Sequence, residues 1–220
     1  MQIEVIGSFA FIVSCFAWLF QWGYLRHYKK EINRHGLTGG EAARTLCDMF
    51  GFAHAVIDFK PQDLSARKNP QQIKFLCLPK ALFEGNSLYA LARAGHEVVI
   101  MIESPITFLP LKKRWRIVSI FSCLAWGFLA ADVLGFLPGG FILCPLLFFA
   151  AFMAALFFVP NEWEIAERVV TIYRQANILE LDEVLKIKEM MAGIRLESFA
   201  LIVKSPLTIL INKLRTVRIF

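Results

Sequence analysis

The chain has 220 residues, of which 57% are hydrophobic and 19% charged, and its mean hydropathy is +0.54. This composition excludes an ordinary water-soluble domain and favours a membrane protein. The formal net charge is +6, but the basic residues are grouped beside hydrophobic segments, which is typical of a membrane-topology signal and not of a nucleic-acid surface. The five cysteines form no C-x-x-C pair, so we predict neither a disulfide framework nor a zinc ribbon.

The first hydrophobic segment lies at the N-terminus. Residues 5–25 carry no charged side chain, and at about 1.5 Å per residue a helix of this length is roughly 30 Å long, enough to cross a bilayer. Trp18, Trp22 and Tyr24 near its end are typical of an aromatic belt, and a basic run follows them. Because the segment has neither a basic n-region nor a small-residue cleavage site, we predict a retained transmembrane helix over 1–25 and no signal peptide.

The region 26–116 combines helices with two short strands. Thr38 and Glu41 form a capping-box pattern, in which each side chain accepts a hydrogen bond from the other residue's backbone N–H at the start of a helix. Apolar residues that alternate with polar ones predict the strands. The predicted elements upstream of the next motif are a helix over 39–50, a strand over 55–59, a polar loop over 60–71 and a strand over 72–78.

The run 87–103 predicts a helix because apolar residues recur every three or four positions and no proline interrupts it. In its middle, His96 and Glu97 form the first half of H-E-x-x-H. In that motif two histidines four residues apart face one way and bind one zinc, while the glutamate polarises a water. Ile100 stands where the second histidine is needed, and it has no lone pair to give. The His-Glu pair alone is weak support for a metal site.

Two further hydrophobic segments, 117–137 and 141–159, predict a transmembrane hairpin over 117–159. The connecting Pro-Gly-Gly turn is short enough only for a tight hairpin. Asp132 lies within the first of these segments, and an acidic residue inside the membrane is a candidate functional residue. Its position in the last third of the segment also fits an ordinary residue at the membrane interface, so both interpretations stay open.

The C-terminal region, 160–220, predicts cytoplasmic or interfacial helices. Asn161 has the chemistry of an N-cap for a helix over 161–176, and the acidic residues that follow it suit the first turn of such a helix. A helix over 178–194 is predicted to be amphipathic. Its expected apolar face contains Leu181, Val184, Leu185, Met190 and Met191. The run 196–214 is apolar but interrupted by charges and a proline, and it could lie in the interface, re-enter the membrane or pack on a partner.

The positive charges predict the orientation in the membrane. No lysine or arginine occurs in 1–25 or 117–167, so all 24 fall in 26–116 and 168–220. Three crossings place these two stretches on one side of the membrane, and the positive-inside rule makes that side the cytoplasm. The N-terminus and the Pro-Gly-Gly turn would then face outward.

Longer stretches around these features resemble a known family. The sequences HGLTGGEAARTLCDMFGF, QIKFLCLPKALFEGNSLYALARAGHEV and PNEWEIAER, in this order and spacing, are similar to the bacterial membrane-bound neutral zinc metallopeptidases (the YugP type). In that family a G-L-T-G-x-E-x-A-R segment follows the first membrane helix, the motif helix reads A-A-H-E-V-G-H, and an acidic P-x-E-F-D-A-S-R segment comes later. The resemblance covers roughly residues 26–104 and this acidic segment.

The resemblance implies a zincin-like cytoplasmic domain over 26–116 and a location in the bacterial inner membrane, with several crossings. Carried over residue by residue, it places vestigial zinc ligands at His96 and Glu162, a vestigial catalytic base at Glu97 and a neighbouring acid at Glu164. The alternative for the two later acids is that they only stabilise a helix N-terminus. The motif reads H-E-V-V-I in this chain, so a ligand is missing and Val99 replaces a glycine.

A catalytic zinc takes three protein ligands and keeps a further position for water. None of the remaining histidines is placed by spacing to replace residue 100; they are His27, His35 and His54. Losing a direct ligand should cost more than the roughly 10–100-fold in metal affinity that is typical of changes in the surrounding shell. We therefore expect no bound cofactor and no proteolysis.

The predicted fold class is a mostly α membrane protein with about three transmembrane helices and a small α+β zincin-like cytoplasmic domain. The expected function is a non-catalytic structural or accessory subunit of a membrane complex. Its expected partners are the lipid bilayer and other membrane proteins, through the transmembrane helices and 196–214, and no nucleic acid. The alternative is an active membrane zinc metallopeptidase with an atypical ligand set and bound zinc. A third hypothesis is a small membrane protein whose resemblance to the family is fortuitous, for instance a transporter or channel component, and its support is the three hydrophobic segments and the single intramembrane acid, Asp132.

Overall fold

The structure is a computed structural model that describes residues 2–59, 75–103, 111–137 and 139–205. Within these residues the protein is mostly helical, with few strands. Three helices are long and apolar enough to cross a membrane, as the composition predicted. They are α1 (Gln2–Tyr28), α5 (Leu111–Val133) and α6 (Gly140–Ala176).

The chain divides into two compact units, and the division falls within α1 and α6. The first, named here the apolar unit, contains Met1–Trp22, Leu109–Asn161 and Ile194–Phe220. The second, named the motif unit, contains Gly23–Phe108 and Glu162–Gly193. The motif helix and the acidic segment that follows residue 160 therefore belong to the same unit.

Small and aromatic residues pack the helices of the apolar unit closely. A Cβ atom at Gly7 would lie 2.4 Å from the Cβ of Pro145, so only glycine lets α1 approach α6 at this point. Next to this contact, the ring centroid of Phe11 lies 5.7 Å from that of Trp126 and 4.9 Å from that of Phe148. The buried core of this unit contains Val118, Ala125, Cys144, Phe148, Ala151, Ala155, Phe158, Phe199 and Ile202.

The described part of the interrupted apolar run, residues 197–205, is helical and belongs to the same core. Phe199 and Ile202 are buried, and the Ser122 hydroxyl donates a hydrogen bond to the Ile202 carbonyl oxygen. The charge of Lys204 is balanced by Glu197, whose Oε1 lies 3.1 Å from its Nζ. Of the alternatives for 196–214, the described residues pack on helices of their own chain; 206–214 lie outside the described residues.

The predicted N-cap at Asn161 is wrong, because α6 continues without a break from Gly140 to Ala176 and includes both Pro145 and Pro160. An N-cap residue has non-helical backbone angles, whereas Asn161 lies inside the helix. Each proline removes one backbone donor, but the helix is continuous across both positions. The acidic residues after Asn161 therefore lie in mid-helix and do not serve as a helix N-terminus.

The first helix of the motif unit, α2 (Gly39–Met49), begins with the predicted capping box. The Thr38 hydroxyl accepts from the Glu41 amide, and the Glu41 carboxylate accepts from the Thr38 backbone N–H at 2.8 Å and from its hydroxyl at 2.8 Å. These bonds to the charged form lower the pKa of Glu41 below its usual value. The helix ends at Phe50, and Gly51 then turns the chain with a φ of +76°.

A pair of short parallel strands follows, β1 (Val56–Asp58) and β2 (Phe75–Cys77). Val56 pairs with Phe75, and the Leu78 amide donates to the Asp58 carbonyl oxygen at 3.0 Å, which continues the pairing by one residue. Both predicted strands are present, and β1 is shorter than its predicted range of 55–59. Residues 72–74 of the second predicted strand lie outside the described residues. The polar loop over 60–71 lies outside the described residues.

The motif helix is α4 (Leu88–Glu103), preceded by the single turn α3 (Lys80–Phe83). The predicted helix over 87–103 is confirmed to within a residue. Its buried face is wider than the periodicity predicted and includes the residue before the His-Glu pair and the two residues after it. The buried residues of α4 are Leu88, Ala90, Leu91, Ala92, Ala94, Gly95, His96, Val98 and Val99.

The last named helix of the motif unit, α7 (Leu181–Arg195), confirms part of the predicted apolar face, since Val184, Met190 and Met191 are buried. Leu181 and Leu185 are exposed, which contradicts their predicted place on the apolar face. The buried residues of α7 are Glu183, Val184, Ile187, Met190, Met191, Gly193 and Ile194.

The charged residues at the start of α7 account for the exposure of Leu181 and Leu185. The backbone N–H of Arg34 donates to the Glu183 carboxylate at 2.8 Å, and the Arg34 guanidinium pairs with Glu180 and Asp182. Lys186 pairs with Glu31, and this hydrogen bond raises the pKa of Lys186. These polar contacts fix which side of the helix faces the loop after α1, so the two leucines point outward.

Candidate functional site

The structure brings two of the candidate site residues together. His96 of α4 and Glu162 of α6 lie in the motif unit, with 3.3 Å between His96 Nε2 and Glu162 Oε2. His96 is 1% exposed and Glu162 is 3% exposed. Glu162 reaches His96 because residues 162, 166, 169 and 173 recur on one side of α6, at helical spacing, and all four are buried.

The contact between His96 and Glu162 uses one polar atom of each side chain and leaves the other polar atom of each without a hydrogen bond to the described residues. Among the described residues, neither His96 Nδ1 nor Glu162 Oε1 has a hydrogen-bond partner. A buried polar atom without a partner costs roughly 1–3 kcal/mol, more for a charged group. Each side chain therefore depends on the other, since their mutual contact is the polar interaction that the described residues supply to them.

A tyrosine on α6 holds the motif helix at this distance. The Tyr173 hydroxyl donates to the Leu91 carbonyl oxygen at 2.6 Å, and its ring lies flat enough on α4 that a Cβ atom at Gly95 would be 2.5 Å from Cε2. Tyr173 is fully buried. The absence of a side chain at Gly95 thus allows the close approach that brings His96 to Glu162.

Among the described residues, the rest of the motif does not add a third buried metal-ligating side chain to His96 and Glu162. Glu97 is half-buried, and no hydrogen bond or ion pair joins it to another described residue. Ile100 is half-buried one turn after His96, and Val99 between them is buried. Glu164 is exposed and pairs with Arg168 at 2.9 Å, along the solvent side of α6.

The distance between His96 and Glu162 is compatible with two different arrangements. It fits a weak direct hydrogen bond, and it also fits two ligands of one tetrahedral zinc, which at bonds of about 2.0–2.2 Å lie roughly 3.4 Å apart. The number of donors decides between them. The described residues contain no group of three His, Cys, Asp or Glu side chains that could hold a metal ion.

The other histidines do not supply the third zinc ligand. His27, His35 and His54 are all exposed, in contrast to the buried His96. A catalytic zinc needs three protein ligands, and the described side chains around His96 supply two. The donor set in the described part of the chain therefore does not fit a catalytic zinc.

A pocket of about 280 Å³ opens beside the motif helix within the motif unit. Its walls come from α4, from α6 and from the C-terminal end of α2. They are mostly apolar, and Val99, which stands at the glycine position of the similar family's motif, forms part of them. The lining residues are Phe50, Val99, Ile102, Arg168, Thr171, Ile172 and Gln175.

Asp132, the other candidate residue, belongs to the apolar unit. It lies in the last turn of α5, and its Oδ1 accepts a hydrogen bond from the Gly139 amide at 3.0 Å. The carboxylate thus closes the turn between α5 and α6. This contact gives Asp132 a structural role that requires an oxygen acceptor and not a mobile proton.

Sequence reasoning missed Tyr173 and the pocket residues Phe50 and Ile172. No motif marks them, because a buried aromatic residue at helical spacing is typical of any core. The one local signal was Gly95, an isolated glycine inside a predicted helix, which often marks a close approach of another element. Which residue approaches it depends on the packing of α6.

Comparison with known proteins identifies the family. The family model described as putative neutral zinc metallopeptidase matches residues 3–209, nearly the whole chain. The match includes α4 and the segment around Glu162, and it confirms the resemblance inferred from the motifs. No curated protein and no solved structure matches the chain.

Gly95→Ala is expected to destabilise the protein by about 1–2 kcal/mol. The added methyl group overlaps the buried ring of Tyr173, which typically costs about 1–3 kcal/mol, and the better helix propensity of alanine returns at most about 1 kcal/mol. Thermal unfolding in detergent, followed by circular dichroism, measures the change. Gly23→Ala in α1 is the control, because nothing lies within 4 Å of a Cβ there. Equal stability of the two variants would contradict the described contact.

Asp132→Ala is expected to lower the stability of the apolar unit by about 0.5–1.5 kcal/mol, because it removes the acceptor of the Gly139 amide. Asp132→Asn keeps an oxygen at the same place and should cost clearly less. Thermal unfolding in detergent compares the two variants. If asparagine were as damaging as alanine, the charge of Asp132 would matter and its role as a turn acceptor would be insufficient.

Proposed function

The chain belongs to the neutral zinc metallopeptidase family, and we propose that it is a non-catalytic member, an integral membrane protein that serves as a structural or accessory subunit of a membrane complex. The observation that supports this proposal is the number of donors, because the described residues bring together two buried metal-ligating side chains, His96 and Glu162, and Ile100 stands one turn after His96. An enzyme of this kind would need a third donor where Ile100 stands.

The remnant of the site has a use without a metal. His96 and Glu162 join α4 to α6 at the centre of the motif unit, and Tyr173 closes the same interface one turn of α4 away. Two helices that a zinc ion would otherwise bridge are here joined through protein contacts. Glu97 next to this pair would have no metal-bound water to act on, so its carboxylate has no catalytic task in this proposal.

The positive-inside rule supports a cytoplasmic location for the soluble parts. We propose three crossings by α1, α5 and α6, with the N-terminus outside. The zincin-like domain over 26–116 lies in the cytoplasm in this proposal, and the region over 160–220 lies in the cytoplasm or at the membrane interface. All 24 lysine and arginine residues fall in 26–116 and 168–220. The family resemblance supports the inner membrane of a bacterium as the location.

An exposed apolar pair on α7 supports the role as a subunit. Leu181 is 67% exposed and Leu185 is 48% exposed, one turn apart on the same side of the helix and outside the candidate spans. Exposed leucines in a cluster are unfavourable in water and typical of contact surfaces. We propose that a second protein of the complex covers this pair.

Ile100→His is expected to create a zinc site. A histidine four residues after His96 faces the same way, so the variant would supply the missing third donor and should purify with about one zinc ion per chain, against less than about 0.1 in the wild type. Mass spectrometry of the detergent-purified protein measures the metal. Ile102→His is the matched control, since two residues on the same helix turn its side chain away by roughly 200°, and it should resemble the wild type.

Near-stoichiometric zinc in the wild type would overturn the proposal and favour the alternative, an active peptidase with an atypical ligand set. The atoms that favour this alternative are His96 Nδ1 and Glu162 Oε1, which have no partner among the described residues. Its third donor would have to come from outside those residues. A peptidase assay with Glu97→Gln as the inactive control would then decide whether the bound metal is catalytic.

The double substitution Leu181→Ser and Leu185→Ser is expected to abolish assembly without unfolding the chain. Exposed side chains contribute little to the stability of the monomer, usually within about 0.5 kcal/mol, but their loss removes the apolar contact with a partner. Native gel electrophoresis of mildly solubilised membranes measures the size of the complex. Lys188→Ser, at an exposed polar position of the same helix, is the control. A complex of unchanged size in the double variant would contradict the proposed contact.

A further inference from the structure

The turn that joins α5 to α6, residues 133–137 and 139, is named here the hairpin tip. It exposes large apolar side chains where a water-facing turn usually carries polar ones. Val133 is 78% exposed and Phe136 is 80% exposed, and Leu134 and Leu137 are exposed as well. Four apolar side chains in five residues form a patch that water does not favour.

The hairpin tip also lacks charge. Between residues 117 and 161 the sequence contains one charged side chain, Asp132, and its Oδ1 accepts from the Gly139 amide. The turn between α1 and α2 is different, because it exposes Arg34 and His35. A turn in water can carry charged residues without a desolvation penalty. The lack of Lys, Arg and Glu in the hairpin tip therefore indicates that this turn does not face bulk water.

The backbone donors of the hairpin tip are all used. Each described amide from residue 134 to residue 140 donates a hydrogen bond within the hairpin, and residue 138 is a proline, which has no amide hydrogen. The acceptors are the carbonyl oxygens of Ala130, Ala131, Asp132 and Leu137 and the carboxylate of Asp132. Water would satisfy free amides at a surface turn, whereas lipid cannot.

The carbonyl oxygens of the hairpin tip indicate how deep the turn lies in the bilayer. None of the carbonyl oxygens of residues 133–136 accepts one of these bonds, and a carbonyl without a donor is unfavourable in hydrocarbon. At the depth of the lipid headgroups, water and headgroup donors reach such oxygens while apolar side chains reach the acyl chains. The exposed apolar surface also continues along α6, at Ile142, Leu143 and Leu146.

We propose that the hairpin tip is immersed in the headgroup region of the bilayer, with Val133, Leu134 and Phe136 inserted among the upper acyl chains. Lipid, and not water or a protein, is the partner of this surface. Asp132 then has a specific purpose, because it supplies an acceptor for the Gly139 amide within the turn itself. This inference does not depend on whether the protein is an enzyme.

The test places one fluorine probe at a time, trifluoromethyl-phenylalanine, in the full chain reconstituted in vesicles of phosphatidylcholine and phosphatidylglycerol. The probe replaces Phe136, Phe157 in the predicted span, which is 79% exposed, or His35 in the polar turn. Fluorine relaxation is measured with dissolved oxygen, which concentrates in lipid, and with a nickel chelate, which stays in water. No cysteine has to be removed for this labelling.

The expected result is that oxygen relaxes the probe at 136 to within about twofold of its effect at 157, and that nickel relaxes it about threefold or more weakly than at 35. Nickel relaxation at 136 equal to that at 35 would overturn the proposal, because the hairpin tip would lie in water. Protection from both reagents would overturn it in favour of a protein contact. Failure of the protein labelled at 136 to fold would also overturn it, since a ring in lipid tolerates the probe.

Discussion

A contact between two buried polar side chains organises the motif unit. His96 and Glu162 lie 3.3 Å apart with almost no exposed surface, so neither can exchange its partner for water. Tyr173 and Gly95 make this contact possible by letting α4 and α6 approach closely. Ile100 stands one turn after His96, where the H-E-x-x-H motif has its second histidine, and the described residues join the two helices here through side-chain contacts.

A different constraint applies to the apolar unit, whose three long helices are apolar enough to cross a membrane, where backbone groups have to find partners without water. The helix α6 continues through two prolines, so that no new helix begins at Asn161, and the turn before α6 uses all its described amides. Small residues such as Gly7 allow the helices to pack closely, and Glu197 and Lys204 balance each other's charge in the helical segment 197–205. Each of these features lowers the number of polar groups that lipid would leave unsatisfied.

The elements predicted correctly depend on local patterns. The capping box at Thr38 and Glu41, the helix over 87–103 and the three apolar segments each follow from spacing or composition within a few residues of one another. The errors arose where a distant contact decides. Asn161 resembles an N-cap, but it lies inside a longer helix, and Leu181 fits an amphipathic face that ion pairs with Arg34 rotate outward.

In the candidate site, too, local sequence spacing predicts some features and contacts between distant residues decide others. His96 and Ile100 lie on one helix, so the sequence alone determined that an isoleucine and not a histidine stands one turn after His96, because residues four apart share a face whatever the rest of the fold does. The sequence also determined that the chain is apolar enough for a membrane. Only the tertiary structure decided that Glu162, 66 residues away, contacts His96 and that Tyr173 supports the contact. Such pairings depend on how whole helices pack, which no local spacing encodes.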